Sequence, residues 1–361
     1  SWFKCMHEMQ LLLQSVNRAL ELMWAGDFFM AESIFKQFER RRPAFPEGLY
    51  EYASFKLLKG DYEEAWPLFQ RRLEMQAYLA KKVTQFPIPY WDGSPAKEST
   101  LLIHRDQGFG DVFMSARYFP LALERVGKVM FAAPVGGRRL FQAAFPELII
   151  IEDGEPIPLD VIDFHLHSLS LPAVFNTTLD SIPDSNVFSA DPALKKKWQT
   201  RLQGKFKVGI CWQGNPDQIR DAERSIPLKE MAPLMGVEGA QFYGLQVGAG
   251  EDQVADVDGN WPFEHLGPEL NGKDIFVDVV AAMACMDLVI TVDTAIAHLA
   301  GSMGIPVWVM VVKVPYWPYM LEGEKTPWYP SARLFRSTQR FEWDETIKTV
   351  AEELGKLVPS G

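Results

Sequence analysis

The sequence is short of cysteine, has no long apolar run and carries no excess of basic residues, and each shortage removes a class of protein. Cys5, Cys211 and Cys285 are the only cysteines in 361 residues. An odd, widely spaced set builds no disulfide framework and points to a reducing compartment, so a cytoplasmic location is expected. None sits in a CxxC pair or beside a spaced histidine, which argues against a structural zinc site. No apolar run reaches the roughly 18 residues that cross a bilayer. The longest candidates, Val307 to Val312 and Leu288 to Val292, have the length of buried strands. Lys4, His7 and Glu8 interrupt the start, so no signal peptide is expected. A net charge of −11 lacks the basic footprint that broad nucleic-acid binding requires. It still permits a small anionic ligand, because one basic side chain and a helix N-terminus hold a phosphate on an acidic protein.

What is there is globular: 47% hydrophobic and 23% charged residues, in a chain long enough for two or three domains. The first 86 residues contain a countable repeat. Ala19, Gly26, Asp27, Ala31 and Phe35 recur 34 residues later as Ala53, Gly60, Asp61, Ala65 and Phe69. That period, with small residues where paired helices approach, matches a tetratricopeptide helix-turn-helix unit. Two units fall short of the three or so that stand alone. The segment is therefore expected to pack on the rest of the protein, as a prop or as a docking surface for a protein acceptor.

Thr84 to Ser99, with Pro87, Pro89, Gly93, Ser94 and Pro95, reads as a linker. Strands and helices then alternate, the pattern of a parallel α/β sheet. Leu101–His104, Lys128–Ala132, Leu148–Ile151 and Val161–His165 read as strands, and Val112–Val126 as a helix. A second unit begins near Lys207, with strands at Val208–Trp212, Gln241–Gln246, Leu288–Val292 and Val307–Val312. Helices are expected over Asp278–Met286 and Thr294–Met303, and a last amphipathic one over Thr346–Leu357. The organisation is thus a helical segment (1–86), an α/β unit (87–204), a second α/β unit (205–345) and a terminal helix (346–361). Tandem α/β units imply a cleft between them, a preferred place for ligands.

The sharpest local pattern runs from Leu288 to Gly301. An apolar strand passes into Asp293-Thr294 and then into the small-residue helix Ala295-Ile296-Ala297-His298. Open parallel sheets bind ligands at the carboxyl ends of their strands, and the new helix offers free N–H groups and a positive dipole end to a phosphate. The competing possibilities are that Asp293 only caps the helix and that His298 is a buried, satisfied histidine. A Gly-rich turn, Gln107-Gly108-Phe109-Gly110-Asp111, follows the first strand of the first unit, and it lacks the third glycine of a dinucleotide fingerprint. Asp111 opens the next helix, where a carboxylate serves as a cap or as a general base. A second turn, Trp212-Gln213-Gly214-Asn215-Pro216, follows the first strand of the second unit. Arg224 beyond it suits a fork of donors to a diphosphate, or stays a solvated arginine.

Other patterns read as structural. Asp256-Val257-Asp258 resembles an acidic metal-binding triplet but lies in a loop. His165 and His167 alternate on a strand and lack a third ligand. Lys195 to Lys197 starts a charged helix. The aromatic residues Tyr316, Trp317, Tyr319, Trp328 and Tyr329 either stack on a base or sugar or belong to the core.

Taken together, these motifs resemble the heptosyltransferase-like, GT-B glycosyltransferases, especially the bacterial branch fused to tetratricopeptide repeats. The matching stretches are Pro89–Ser94, Asp106–Asp111, Ala116–Pro120, Ser168–Pro172, Ile210–Pro216, Asp293–Gly301 and Pro327–Pro330. The resemblance implies two Rossmann-like domains in a GT-B arrangement behind the all-α segment. It also implies inverting, metal-independent transfer of a sugar from a nucleotide-diphosphate sugar, a co-substrate that replaces any bound cofactor, to a protein, glycan or lipid acceptor. By position, Asp111 corresponds to the catalytic base, with Gln107, Gly108 and Gly110 on the acceptor-side loop. Gln213, Asn215, Arg224, Gln246, Asp293, Thr294, Ala295 and His298 fall on the donor side. The chain departs from the repeat-fused relatives at Tyr316-Trp317-Pro318, where they carry Asp-Trp-Arg. That departure keeps two alternatives in play: a catalytically reduced binding scaffold, and a sugar-nucleotide epimerase of the same architecture.

Overall fold

The computed structural model describes residues 2–75, 87–106, 108–257 and 259–359. Four helices open the chain: α1 (Trp2–Ala25), α2 (Phe28–Arg40), α3 (Pro46–Lys59) and α4 (Tyr62–Phe69). The 34-residue spacing carries matching structural roles. Gly26 and Gly60 both adopt the left-handed conformation, at φ +89° and +88°, which glycine takes without the Cβ penalty. Ala19, Ala31 and Phe35 are fully buried, as are Ala53, Ala65 and Phe69. Asp27 caps α2 by accepting from the Met30 N–H at 3.2 Å. Its counterpart Asp61 does not cap, and pairs with Lys59 at 3.3 Å.

Two parallel sheets follow. The first contains β1 (Ala96–His104), β2 (Val126–Ala133), β3 (Ile149–Glu152) and β4 (Phe164–His167), in the order β3-β2-β1-β4. It carries the helices α5 (Phe109–Ser115), α6 (Phe119–Arg125) and α7 (Arg138–Ala144). After α8 (Pro192–Arg201) comes the second sheet, of β5 (Phe206–Cys211), β6 (Ala240–Gly244), β7 (Phe263–His265), β8 (Leu288–Val292), β9 (Val307–Val311) and β10 (Ala332–Arg336). Its order is β10-β9-β8-β5-β6-β7. Counted from β5, this is the doubly wound Rossmann order, whose strand direction of growth reverses between the first and fourth strands, here β5 and β8. The helices α9 (Val277–Met283), α10 (Ala295–Ser302) and α11 (Asp344–Leu357) complete the layers. β8 and β9 are buried at every position, as strands covered on both faces must be.

Several boundaries differ from the sequence pattern. Positions 84–86 of the expected linker lie outside the described residues, and 96–99 belong to β1, whose partly exposed first half hides its period. The helix expected over Val112–Val126 begins at Phe109 and is broken by a 3-10 turn at Ala116–Tyr118, and Val126 already starts β2. Pro120, lacking an N–H, fits only the first turn of the new helix α6. The short strands β7 and β10 carried no clear alternation.

The helical segment is fastened to both sheets. The Trp66 indole donates to the Thr177 carbonyl at 2.7 Å, and the Trp328 indole donates to the Tyr62 hydroxyl at 2.7 Å. Trp66 and Phe69 meet Trp317 edge-on. One continuous apolar core therefore runs through the four helices, the first sheet and one face of the second. A second core lies on the other face of the second sheet, where α11 buries Ile347, Val350 and Leu354 at helical spacing. Among the described residues no helix is long and apolar enough to cross a membrane.

Candidate functional site

At the switch point of the second sheet, β5 lies directly beside β8, with Cys211 opposite Thr291. The loops leaving these strands carry most of the donor-side candidates. The helix α10 takes Thr294 as its N-cap, in extended conformation and without a side-chain cap bond. Thr294 instead bonds the Thr291 hydroxyl at 3.0 Å. Asp293 is thus not the helix cap. It sits one residue earlier, nearly buried. Burial raises its carboxyl above the usual range, opposed by Arg224, Arg220 and Tyr319. Arg224 ends a single helical turn and donates to Asp221 at 3.1 Å. It lies so close over Gly214 that a Cβ there would meet its guanidinium at 2.5 Å.

The neighbouring donor-side candidates are committed to the protein. Gln246 accepts from the Trp212 and Gln213 backbone N–H groups at 3.2 and 3.0 Å and donates to the Gln213 and Ala249 carbonyls. It clamps the ends of β5 and β6 together. The Gln213 side chain donates to Asp221, and exposed Asn215 closes a turn on Asp217 N–H.

At the carboxyl end of the first sheet, β1 runs into Asp106. Gln107 lies outside the described residues. Gly108 caps α5 in extended backbone, and Asp111 is the third residue of that helix. From there its carboxylate lies near the Gly108 backbone N–H, which helps to hold its ionisation down. It also accepts from the Tyr316 hydroxyl at 2.9 Å. Burial, then the charge of Asp106, push Asp111 up to about 6, against the lowering hydrogen bond from Tyr316. Its carboxyl is thus shifted toward neutral pH, where a general base works best.

The two halves meet where α5 crosses α10. A Cβ on Gly110 would lie 2.8 Å from His298 Cδ2, so only glycine permits this approach. The Ser302 hydroxyl donates to the Phe113 carbonyl at 3.1 Å. His298 Nδ1 bonds the Tyr329 hydroxyl at 2.7 Å, and Nε2 lies 3.4 Å from the Tyr319 hydroxyl and 3.9 Å from Asp293. Burial, with Arg117 and Arg224 nearby, holds its imidazole down to about 3, so it is neutral. Asp111, Tyr316, Ala295 and Arg224 each keep some accessible surface, although protein surrounds Asp111 and Tyr316 closely enough to shift their ionisation.

The structure thus brings Asp111, Asp293, Thr294, Ala295, His298 and Arg224 to one region through the α5–α10 contact and Tyr316. Sequence reasoning missed two participants and left the role of a third open. Tyr316, which the sequence allows either to stack on a base or sugar or to join the core, donates its hydroxyl to the candidate base. Arg220 donates to the Val314 carbonyl at 2.8 Å and acts on Asp293; its spacing of four from Arg224 was the available signal. Arg72, from the helical segment, grips Asp106, and nothing local in the sequence announces it.

His165 and His167 lie beside a third imidazole, that of His104, without the three being arranged as a ligand set. His104 Nε2 lies 2.9 Å from His165 Nδ1, and its ring centre lies 4.1 Å from that of His167. Adjacent parallel strands supply all three, which no linear spacing shows. Of the acidic triplet, Asp258 lies outside the described residues. Among the described residues no group of three His, Cys, Asp or Glu side chains is arranged to hold a metal ion.

No family model matches the chain. Protein FlbA of Caulobacter vibrioides is 28% identical over 350 residues, covering 89% of this chain and 57% of FlbA. The chain thus spans little more than half the length of that relative. Among solved structures, E. coli ADP-heptose LPS heptosyltransferase II superposes with a TM-score of 0.51 at 16% identity, over 72% of this chain and 98% of that one. E. coli heptosyltransferase WaaC with ADP-2-deoxy-2-fluoro heptose gives 0.45 at 13% identity, over 71% and 100%. The first of these likenesses shows the fold of the α/β part: parallel sheets consistent with a GT-B-like glycosyltransferase.

Proposed function

We propose that this protein is a glycosyltransferase that moves a sugar from a nucleotide-diphosphate sugar to a hydroxyl of a protein, glycan or lipid acceptor, by inversion and without a metal. The observation that carries the proposal is the position of Asp111. A carboxyl raised to about 6 stands across a helix contact from the β8–α10 turn of a Rossmann-ordered sheet. In this reading Asp111 takes the proton of the attacking hydroxyl. Arg224 and the backbone at Thr294 and Ala295 face the leaving diphosphate, a role that helix N-termini and guanidinium groups fill elsewhere. His298, neutral and enclosed, supports the turn from behind.

ADP-heptose is the first donor to test, because the name of the superposing E. coli enzyme contains it. The protein is expected to bind ADP and to release it from ADP-heptose faster when an acceptor is present, with EDTA leaving the rate unchanged. A requirement for manganese or magnesium would remove the metal-independent mechanism. Acceptor-independent conversion of the donor would favour the epimerase. The scaffold alternative draws on one observation: the Tyr316 hydroxyl already occupies one oxygen of Asp111. It predicts ADP binding with no turnover. In the same proposal the four helices form a tetratricopeptide-like platform in the cytoplasm. The exposed apolar side chains Phe29, Met30, Met6 and Met9 support a docking role for α1 and α2.

A further inference from the structure

Where α10 crosses α5, the His298 imidazole stands between a buried cation and an enclosed carboxylate. The cation is Arg117, in the 3-10 turn after α5 and 3% exposed. Three backbone carbonyls accept from it: Met114 at 3.0 Å, Pro183 at 3.2 Å and Trp328 at 2.8 Å. Its guanidinium carbon lies 5.0 Å from the centre of the Tyr329 ring. Burial raises the ionisation of the Tyr329 hydroxyl, and the charge of Arg117 opposes that rise. The ring lies tight on α10, since a Cβ on Gly301 would come within 2.4 Å of it. From there its hydroxyl reaches His298 Nδ1 at 2.7 Å. At the opposite end of the imidazole, Nε2 has the Tyr319 hydroxyl at 3.4 Å and Asp293 Oδ1 at 3.9 Å.

A neutral imidazole carries one proton, and the bond made by one ring nitrogen settles which of the two holds it. Here both ends point the same way. An ionised carboxylate only accepts, so Asp293 attracts a proton on Nε2 and repels a lone pair there, most strongly where water is excluded. A guanidinium only donates, so the Tyr329 oxygen turns its lone pairs to Arg117 and its proton to Nδ1. We infer that Tyr329, backed by Arg117, is a positioning residue for the donor side of the site: its hydroxyl donates to Nδ1 and so keeps the His298 proton on Nε2, toward Asp293. The opposite tautomer would turn a bare nitrogen on Asp293, the carboxylate on which Arg224 and Arg220 act. In the transferase reading, on which this role rests, Arg224 and the β8–α10 turn face the leaving diphosphate. The tautomer of His298 thus sets donor affinity from behind the site.

Nitrogen NMR of the full chain carrying isotopically labelled histidine tests this, because the protonated and bare nitrogens of a neutral imidazole resonate far apart. The chain has six histidines, and the signals missing from His298→Gln are those of His298. At pH 8, without ligand, wild-type His298 is expected as a single Nε2–H tautomer, a result that needs no variant to fold. Tyr329→Phe should displace the Nδ1 signal and weaken ADP binding several-fold. The amide of His298→Gln can stand at the Nε2 position and that of His298→Asn at the Nδ1 position. The Gln variant should therefore bind ADP about tenfold more tightly than the Asn variant, the worth of one hydrogen bond to a charged group. An Nδ1–H form or a mixture of forms in the wild type, an unmoved Nδ1 signal in Tyr329→Phe, or equal ADP affinity in the Gln and Asn variants overturns the inference. A wild type that shows the Nε2–H form and fails to bind ADP would instead remove the transferase reading and leave the orientation of His298 standing.

Discussion

Arg72 and Asp106 form an ion pair with no exposed surface on either side chain, the guanidinium meeting Oδ1 at 2.9 and 3.1 Å. The pair ties the helical segment to the loop that leads to Asp111. Its remaining atoms are satisfied: Asp106 Oδ2 accepts from the Leu169 N–H, and Arg72 also donates to Ser170 and Gln70. Burial alone would raise the Asp106 carboxyl, yet it lies below its usual value because Arg72 more than offsets that effect.

Replacing Arg72 by methionine should therefore leave a buried charge without its partner, at a cost of about 3–5 kcal/mol. A depressed carboxyl gives stability that is present above its unfolded value and lost as pH falls through the folded one. The penalty of Arg72→Met should accordingly shrink in acid, and Asp106→Asn in the same chain should recover part of it. Urea unfolding at pH 7 and pH 4 measures both effects. Equal penalties at the two values would show that Arg72 acts by packing alone.

Gly110→Ala tests the α5–α10 contact. The new methyl would stand 2.8 Å from His298 Cδ2, and that ring cannot retreat, since Tyr329 holds its other face through Nδ1. Overpacking of this kind costs about 1–3 kcal/mol. Because α5 carries Asp111, turnover should fall further than stability accounts for. A variant with wild-type melting and wild-type rate would mean that the helices separate freely.

The sequence showed the strongly apolar parts of this arrangement and missed what depends on long-range contact. Leu288–Val292 was legible because a strand buried on both faces is a plain apolar run. The turn after it was legible because Asp293 and Thr294 interrupt that run abruptly. Motifs that looked separate prove to be partners: Arg117 donates to the Trp328 carbonyl at 2.8 Å and packs over the Tyr329 ring. The Tyr316-Trp317-Pro318 departure looked like a loss of charge. In the fold it places a phenol on the candidate base and an indole against α4. Arg72 stays invisible in sequence because it sits in a 3-10 turn after α4, at Gln70–Glu74, and meets Asp106 only through the fold.

Arg224→Ala should weaken ADP binding by about 1.5–3 kcal/mol, the range for hydrogen bonds to charged groups. Asp221 now holds the guanidinium at 3.1 Å, so the same substitution also frees Asp221 to repel the diphosphate. Asp221→Asn in the Arg224→Ala background should recover part of the lost affinity. Calorimetric titration with ADP separates these contributions. Unchanged affinity in Arg224→Ala would move the diphosphate away from this loop.

The last prediction joins Asp111 to Tyr316. Asp111 ionises near 6, above its usual 3.8, chiefly because it is buried. For a carboxyl raised in this way, stability is fully present below the unfolded value and is lost as pH rises through the folded one. Asp111→Asn should therefore stabilise the protein at pH 8 and not at pH 3.5. The gain is at most about 3 kcal/mol, from a difference of 2.2 units at 1.36 kcal/mol each. Loss of the carboxylate that accepts from the Tyr316 hydroxyl reduces it. Turnover should fall by at least about 100-fold, since a positioned base contributes that much or more. Tyr316→Phe keeps the base and removes a hydrogen bond that favours its charged form. The acid limb of kcat/KM, expected near pH 6 in the wild type, should then move up by about one unit. Rates at pH 8 should change little. A limb that stays in place after Tyr316→Phe would show that another group than Asp111 accepts the proton.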